Sequence, residues 1–204
     1  MGWRCSWMAV QGASKEAVLG AVGLKDLAVE TYHGSRQYPF SVGVLPRGWI
    51  VVFSEDYDWM TNAHAALLAP LGPVVACCVD DKVAMASIAW SLQNGHEVWR
   101  VTHDVDIDPR PLVVSGEPPE GFDEIRRRLA AEQVAGDAEN HGCDYIFDIP
   151  LEAARLACGF RMDQWEPAFS AAEFADERAA RAHRWPGAKR GLLSSLFDVL
   201  LIRR

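Results

Sequence analysis

The dipeptide Asn94-Gly95 constrains the fold more than any other feature, because it stands between two strand-like apolar segments. Residues 83–92 and 97–102 flank it, and Asn-Gly is the strongest short signal for a two-residue type I′ turn. Both central residues of such a turn have a positive φ, which Asn and Gly adopt at low steric cost. The sequence therefore predicts an antiparallel hairpin, and a regular register about the turn places Trp90 opposite Trp99.

Apolar patterning predicts further strands on both sides of this hairpin. They cover residues 3–9, 27–31, 49–53, 74–79, 112–115 and 145–147. In the first strand, apolar side chains alternate with Arg4, Ser6 and Met8, which indicates a half-buried strand. The continuous apolar run 74–79 indicates a central strand, and the composition of residues 33–41 indicates a loop.

Four helices are predicted from apolar spacing and from the residues that start and stop helices. They cover residues 14–22, 58–68, 122–134 and 150–158, with 135–143 as a loop. Ser14 is suited to cap the first helix, and Gly23 and Gly159 are suited to end the first and the last. These elements predict an α+β fold, with a single antiparallel, meander-rich sheet and helices packed on one face. Residues 1–177 form one predicted domain and 178–204 a tail.

The tail combines a basic segment, 178–190, with an amphipathic helix that is predicted from the spacing of apolar residues. These are Leu192, Leu193, Leu196, Phe197, Leu200 and Leu201, which share one helix face. Docking onto this chain's own sheet, or onto a second copy in a homodimer, is the favoured interpretation. A groove in a foreign partner and an anionic membrane surface remain as alternatives, because the helix is too short to span a bilayer.

Charge is distributed unevenly along the chain. The formal net charge is -8, and residues 104–177 hold 18 acidic against 6 basic residues. Residues 178–204 hold 7 basic residues and 1 acidic residue. This balance argues against nucleic acid as a partner. Either the basic tail neutralises the acidic segment within the chain, or an acidic surface is available to a basic protein partner.

Several classes of protein and of site are disfavoured by what the sequence lacks. The 5 cysteines are odd in number and show no CxxC spacing, which favours reduced, buried thiols in the cytoplasm. The glycine-rich phosphate-binding loops, GxSxG and HExxH are missing as well. No cofactor is therefore expected, and no reaction is named by a motif.

An acidic run follows the second strand of the hairpin. Asp104, Asp106 and Asp108 have the spacing that turns three carboxylates to one side of an extended segment, and carboxylate oxygens suit Ca²⁺ or Mg²⁺. An EF-hand loop that starts at Asp104 fails, because Pro109 and Ser115 stand where glycine and glutamate are needed. No metal site is predicted, although cation binding by the three aspartates stays open.

Two groups of residues are candidates for a binding surface or a reaction site. The candidates are Trp99, His103, Asp104 and Asp148 near the hairpin strand end, and Trp165 and Trp185 in loop-like segments. The first group places ionisable side chains at a strand end, where sites are often attached to a fold. The second group offers exposed tryptophans, which are favoured anchors in interfaces. For both tryptophans, however, the favoured interpretation is that they pin their loops to the core.

Five segments carry a resemblance to known proteins. Residues 5–10, 97–104, 116–119, 144–150 and 159–161 resemble a group of bacterial cytoplasmic proteins for which no activity is established. The resemblance implies a bacterial cytoplasmic setting. In acidity, size and tryptophan content the chain is also similar in style to bacterial immunity proteins, which shield a cell by capping a toxin, although no motif is shared.

Three functions are consistent with these observations. The favoured hypothesis is a non-enzymatic, acidic protein-binding module of the immunity type, because it accounts for both the charge and the tryptophans. The alternative is an enzyme, or a small-ligand or metal binder, with a site near His103-Asp104. The third hypothesis is peripheral membrane association through the tail, which is the least favoured.

Overall fold

The computed structural model describes residues 2–35, 37–105, 112–163, 168–178 and 180. Within them, one antiparallel sheet has nine strands in the order β2-β9-β3-β4-β1-β5-β6-β7-β8. The strands are β1 (Arg4–Gln11), β2 (Leu24–Thr31), β3 (Phe40–Leu45), β4 (Trp49–Ser54), β5 (Val74–Asp80), β6 (Ala86–Gln93), β7 (His96–Asp104), β8 (Leu112–Gly116) and β9 (Phe169–Phe174). The predicted single antiparallel sheet is confirmed, and β5 to β8 form a meander.

Four α-helices accompany the sheet in the described part of the chain. They are α1 (Lys15–Ala21), α2 (Asn62–Leu68), α3 (Phe122–Ala138) and α4 (Asp148–Cys158). The predicted α+β class is confirmed, as are two local signals. The Ser14 side chain accepts a hydrogen bond from the Ala17 amide at the start of α1, and Gly159 ends α4 with a φ of +84°.

The helices pack on both faces of the sheet, so the predicted packing on one face is wrong. On the first face, Cys5, Trp7 and Ala9 of β1 join a core that α3 and α4 cover. On the second face, Met8 and Val10 join a core that α1 and α2 cover. The first strand is therefore buried on both faces rather than half-buried, because both of its alternating rows are largely apolar.

The hairpin forms where the sequence predicts it, with Asn94 at a φ of +52° and Gly95 at +80°. Its register carries a β-bulge. Ser91 pairs with Trp99, whereas Leu92 pairs with Glu97, so Val98 is the extra residue.

This single extra residue changes the faces on which the two hairpin tryptophans lie. Trp90 is opposite Arg100 rather than Trp99, and the Arg100 guanidinium lies 4.9 Å from the centre of the Trp90 ring. Trp90 belongs to the second core and Trp99 to the first. The predicted cross-strand tryptophan pair is wrong for this reason.

Several element boundaries differ from the predicted ones. Residues 145–147 form a turn rather than a strand, and α3 continues through residues predicted as a loop. The α2 helix begins at Asn62 rather than at Asp58, because Thr61 caps it. Strands β3 and β9 were not predicted.

The predicted C-terminal amphipathic helix, at 192–201, lies outside the described residues. None of the helices in the described ranges is long and apolar enough to cross a membrane.

Candidate functional site

Several strands begin or end at one end of the sheet and bring charged side chains together there. The register places Arg4 of β1 opposite Asp80 of β5, Asp80 opposite Ala86 of β6, and Ala86 opposite Asp104 of β7. Glu55 directly follows β4, which pairs with β1 on its other side. Antiparallel pairing therefore gathers residues that are far apart in the sequence.

Two adjoining cavities open at this end of the sheet. The first has a volume of about 580 Å³, and its lining includes Trp3, Cys5, Tyr32, His33, Glu55 and Lys82. The second has a volume of about 290 Å³, and its lining includes Asp81, Asp144, Phe147, Asp148 and Arg161. Both are also lined by Trp3, Met162 and Asp163, so the two cavities share a wall.

Acidic side chains outnumber basic ones around these cavities. We call the following set of residues the acidic end: the charged residues that line the two cavities or a third pocket of about 380 Å³, which shares Glu55 with the first cavity, and the carboxylates that form ion pairs with those residues. Its acidic members are Glu55, Asp56, Asp58, Asp80, Asp81, Asp144, Asp148, Glu152 and Asp163, and its basic members are Arg4, Lys82 and Arg161. Among the residues that the structure describes, the acidic end thus holds nine carboxylates against three cations.

Arg161 organises the carboxylates of the second cavity. Its guanidinium donates to Asp148 at 2.8 Å, to Glu152 at 2.6 Å and to Asp163 at 3.0 Å. Burial raises the pKa of Asp148 despite this contact. Burial also acts on Glu152, but hydrogen bonds from Arg155 and Arg161 hold its pKa below the ordinary value. The network therefore fixes these carboxylates in place.

His103 does not line the second cavity, but it contacts Asp144, which does. The ring is fully buried, and its Nε2 lies 3.0 Å from an Asp144 carboxylate oxygen. The other Asp144 oxygen accepts from the amides of Ile146 and Phe147 at 3.1 and 3.2 Å. On the neighbouring strand, the Ser87 hydroxyl donates to the Phe147 carbonyl at 2.7 Å. These bonds fasten the turn before α4 to β6 and β7.

The interior of the first cavity is uncharged. The His33 ring is 4% exposed and lies against the Met162 carbonyl, with its Nε2 at 2.5 Å. Burial lowers the pKa of His33, so the imidazole is neutral and Nε2 carries the donated proton. Burial raises the pKa of the Cys5 thiol, which is therefore protonated. The charged residues of the lining are more exposed than these groups, and we call them the rim: Arg4, Glu55, Lys82 and Asp163.

The structure separates the residues predicted for this site. Asp148 lines the second cavity, and His103 reaches that cavity through Asp144. Trp99 is buried in the first core and Asp104 is also buried, and neither of them lines a cavity described above. Trp165 and Trp185 lie outside the described residues.

Asp106 and Asp108 also lie outside the described residues. The rest of the chain, as far as the structure describes it, contains no group of three or more metal-ligating side chains placed to hold an ion.

The residues that define the cavities were mostly missed by the sequence reasoning. Trp3 was assigned to the buried row of a strand, and Arg161 follows a helix stop without any motif around it. His33 and Glu55 lie in connections between strands. Their only sequence signal is that ionisable or aromatic residues lie next to the start or end of a strand or helix.

The comparisons of the chain with protein-family models, with curated proteins and with solved structures gave no match.

Proposed function

We propose that the protein is a non-enzymatic binding protein whose acidic end captures a basic protein partner, in the way that an immunity protein covers a toxin. The observation that carries the proposal is the excess of nine carboxylates over three cations among the described residues of the acidic end. A surface of one sign attracts a partner of the opposite sign and accelerates its association.

Concave shape and aromatic side chains add to this charge. Tyr32 is 53% exposed at the rim of the first cavity, and Trp3 is part of the wall between both cavities. Aromatic residues beside a pocket are the usual centres of binding energy in protein interfaces. Charge would steer the partner toward this end, and the pockets would fix its position.

We also propose that the protein acts in the cytoplasm. Cys5, Cys77, Cys78 and Cys158 are buried free thiols and Cys143 is an exposed one. Free thiols persist in a reducing compartment, whereas an oxidising one favours disulfides. The basic tail remains, as the sequence predicts it, a second element that docks on this chain, on a second copy or on a partner.

A pair of triple variants tests the proposal against overall charge. Asp56→Asn, Asp58→Asn and Asp163→Asn together neutralise three carboxylates of the acidic end, where Asp58 and Asp163 have side chains 40% and 46% exposed. Glu117→Gln, Glu120→Gln and Glu124→Gln together remove the same charge at the opposite end of the sheet, beside Gly116 of β8 and the start of α3.

The measurement begins with capture of a partner from the native host, followed by association kinetics with the purified partner. We expect the acidic-end variant to slow association by about tenfold at low salt, and the control variant by less than about twofold. Added salt should slow association of the unmodified protein. Equal slowing by both variants, or failure to capture a stoichiometric basic protein, would contradict the proposal.

A further inference from the structure

We infer that the 580 Å³ cavity is a socket for an arginine side chain of the basic partner. The inference rests on the proposed function and specifies which group the site recognises. Its evidence is the combination of a rigid aromatic wall, an uncharged interior and a rim that contains carboxylates.

The aromatic wall is held in one orientation by its neighbours. The Trp3 ring stacks on His33 with 16° between the planes and meets the Phe53 ring edge-on at 81°. At Gly34, a β-carbon would lie 3.2 Å from the Trp3 ring, so the glycine lets the loop close against the indole. A guanidinium stacks on an indole face through cation–π attraction, and a preorganised ring lowers the entropic cost of that contact.

The buried groups that line the cavity carry no positive charge and therefore do not repel a cation. Neutral His33 and protonated Cys5 lie there together with the thioether of Met162. These groups suit the three methylene carbons of an arginine side chain, which are apolar and pack against aromatic and sulfur-containing surfaces.

Carboxylates on the rim provide partners for the guanidinium nitrogens. Glu55 and Asp163 both line the cavity. Asp163 already accepts from Arg161 with both oxygens at 3.0 Å, but a carboxylate has about four lone-pair sites and accepts a second donor. Arginine matches carboxylates with two parallel hydrogen bonds, which a lysine ammonium does not form.

Two cations, Arg4 and Lys82, also line the cavity, and their surroundings differ. Arg4 is tied to Asp80 at 3.1 Å and lies 5.5 Å from the centre of the Tyr57 ring. Lys82 is an exposed residue on the rim. Lys82 therefore repels an incoming guanidinium, whereas it would attract an anionic ligand. The effect of replacing Lys82 has opposite signs for the two kinds of ligand.

The test uses small probes, so that it does not require the partner. N-acetyl-arginine amide is titrated into the full-length, ¹⁵N-labelled protein while the indole N–H signals are followed, and Trp3→Phe assigns the Trp3 signal. N-acetyl-citrulline amide is the neutral control of the same shape, and N-acetyl-lysine amide carries the same charge on an ammonium group. We expect a saturable shift of the Trp3 signal with the arginine probe and none with citrulline.

Variants then locate the contact. Glu55→Gln should weaken binding of the arginine probe by about fivefold, and Lys82→Gln should strengthen it by about twofold. Glu117→Gln, at the other end of the sheet, should change it by less than about a quarter, within the usual range for remote surface charges. Equal shifts with citrulline, or weaker binding after Lys82→Gln, would overturn the inference.

The outcomes for the socket and for the proposed function are separable. If the arginine probe leaves Trp3 unshifted while the acidic-end triple variant still slows capture of a basic partner, the socket is wrong and the proposed function stands. If the probe binds as described but no basic partner is captured, the socket stands and the proposed function is wrong.

Discussion

Asp144 and Asp148 line the same cavity, yet their environments shift their pKa values in opposite directions. Burial acts to raise both values. At Asp144, hydrogen bonds from His103 and from two backbone amides outweigh burial and lower the pKa. At Asp148, burial outweighs the contact with Arg161 and the pKa is raised. The same residue type therefore stabilises the fold at one position and opposes it at the other.

Replacing each aspartate by asparagine should expose this difference at neutral pH. Asp144→Asn should lower the free energy of unfolding by about 1–2 kcal/mol at pH 7, because His103 and the turn before α4 lose a charged acceptor. Asp148→Asn should leave it unchanged or raise it slightly, because the ionised carboxylate is disfavoured by burial. Urea unfolding measures both effects, and exposed Asp123→Asn on α3 serves as the control, with a change within about 0.5 kcal/mol.

The pH dependence has opposite signs at the two positions. The contribution of Asp144 is present above its unfolded pKa of about 4 and is lost as the pH falls through the lower folded value. Protonated Asp148 stabilises the fold below about pH 4, and that contribution is lost as the pH rises through the raised folded value. The loss in the free energy of unfolding that Asp144→Asn causes should therefore become smaller in acid. A deficit that stays constant between pH 3 and 7 would contradict the assignment.

At the scale of the element, the bulge at Val98 decides which residues of β7 face which core. The turn pairs Gln93 with His96 and Leu92 with Glu97, and Ser91 then pairs with Trp99. Removing Val98 alone would give an uninterrupted ladder and keep every pair beyond Trp99 in place. A deletion further along the strand would instead turn the following side chains to the other face.

Deletion of Val98 should therefore preserve the fold, whereas deletion of Thr102 should not. We expect the Val98 deletion to unfold cooperatively with a loss of about 1–3 kcal/mol, since Val98 packs against the first core and its carbonyl accepts from the Glu117 amide. The Thr102 deletion moves His103 and Asp104 out of register and should abolish the near-ultraviolet circular dichroism of the native state. Similar losses in both variants would refute the bulge register.

The elements that the sequence predicts correctly are those with a local signal. The hairpin turn, the Ser14 cap and the Gly159 stop are local signals, and each was found where it was predicted. Strand β9 lacks such a signal: its pairing of Phe169 with Thr31 depends on residues that are remote in the chain. Residues 145–147 have the apolar character of a strand, but the Asp144 side chain binds two of their amides and turns the chain into α4.

At the scale of the whole molecule, the fold brings the carboxylates of the acidic end together from separate parts of the sequence. The count along the chain assigns the acidic excess to residues 104–177, yet five of the nine carboxylates in the acidic end come from residues 55–81. Antiparallel register brings the two sets together. Among the predicted site residues that the structure describes, Asp148 alone lines one of the two cavities, because a cavity depends on which strand ends are neighbours.

Two truncations determine which part of the tail acts on the domain. Among the described residues, the two apolar cores draw on side chains from Trp3 to Phe174. A chain that ends at Arg190 lacks the predicted amphipathic helix, and a chain that ends at Ala180 also lacks the basic segment before it. Because the described residues alone already form two extensive cores, we expect both chains to unfold cooperatively within about 1 kcal/mol of the full chain.

The shorter chain also has a different charge, and this gives the second measurement. Removing residues 181–204 takes away six basic residues and one acidic residue, so the formal net charge changes from -8 to -13. Association with a basic partner should become faster and more salt-dependent. If association becomes faster only when 181–190 is also removed, the basic segment competes with the partner for the acidic end. A loss of several kcal/mol on removing 191–204 would instead show that the apolar segment belongs to a core, and it would contradict the small effect expected for this truncation.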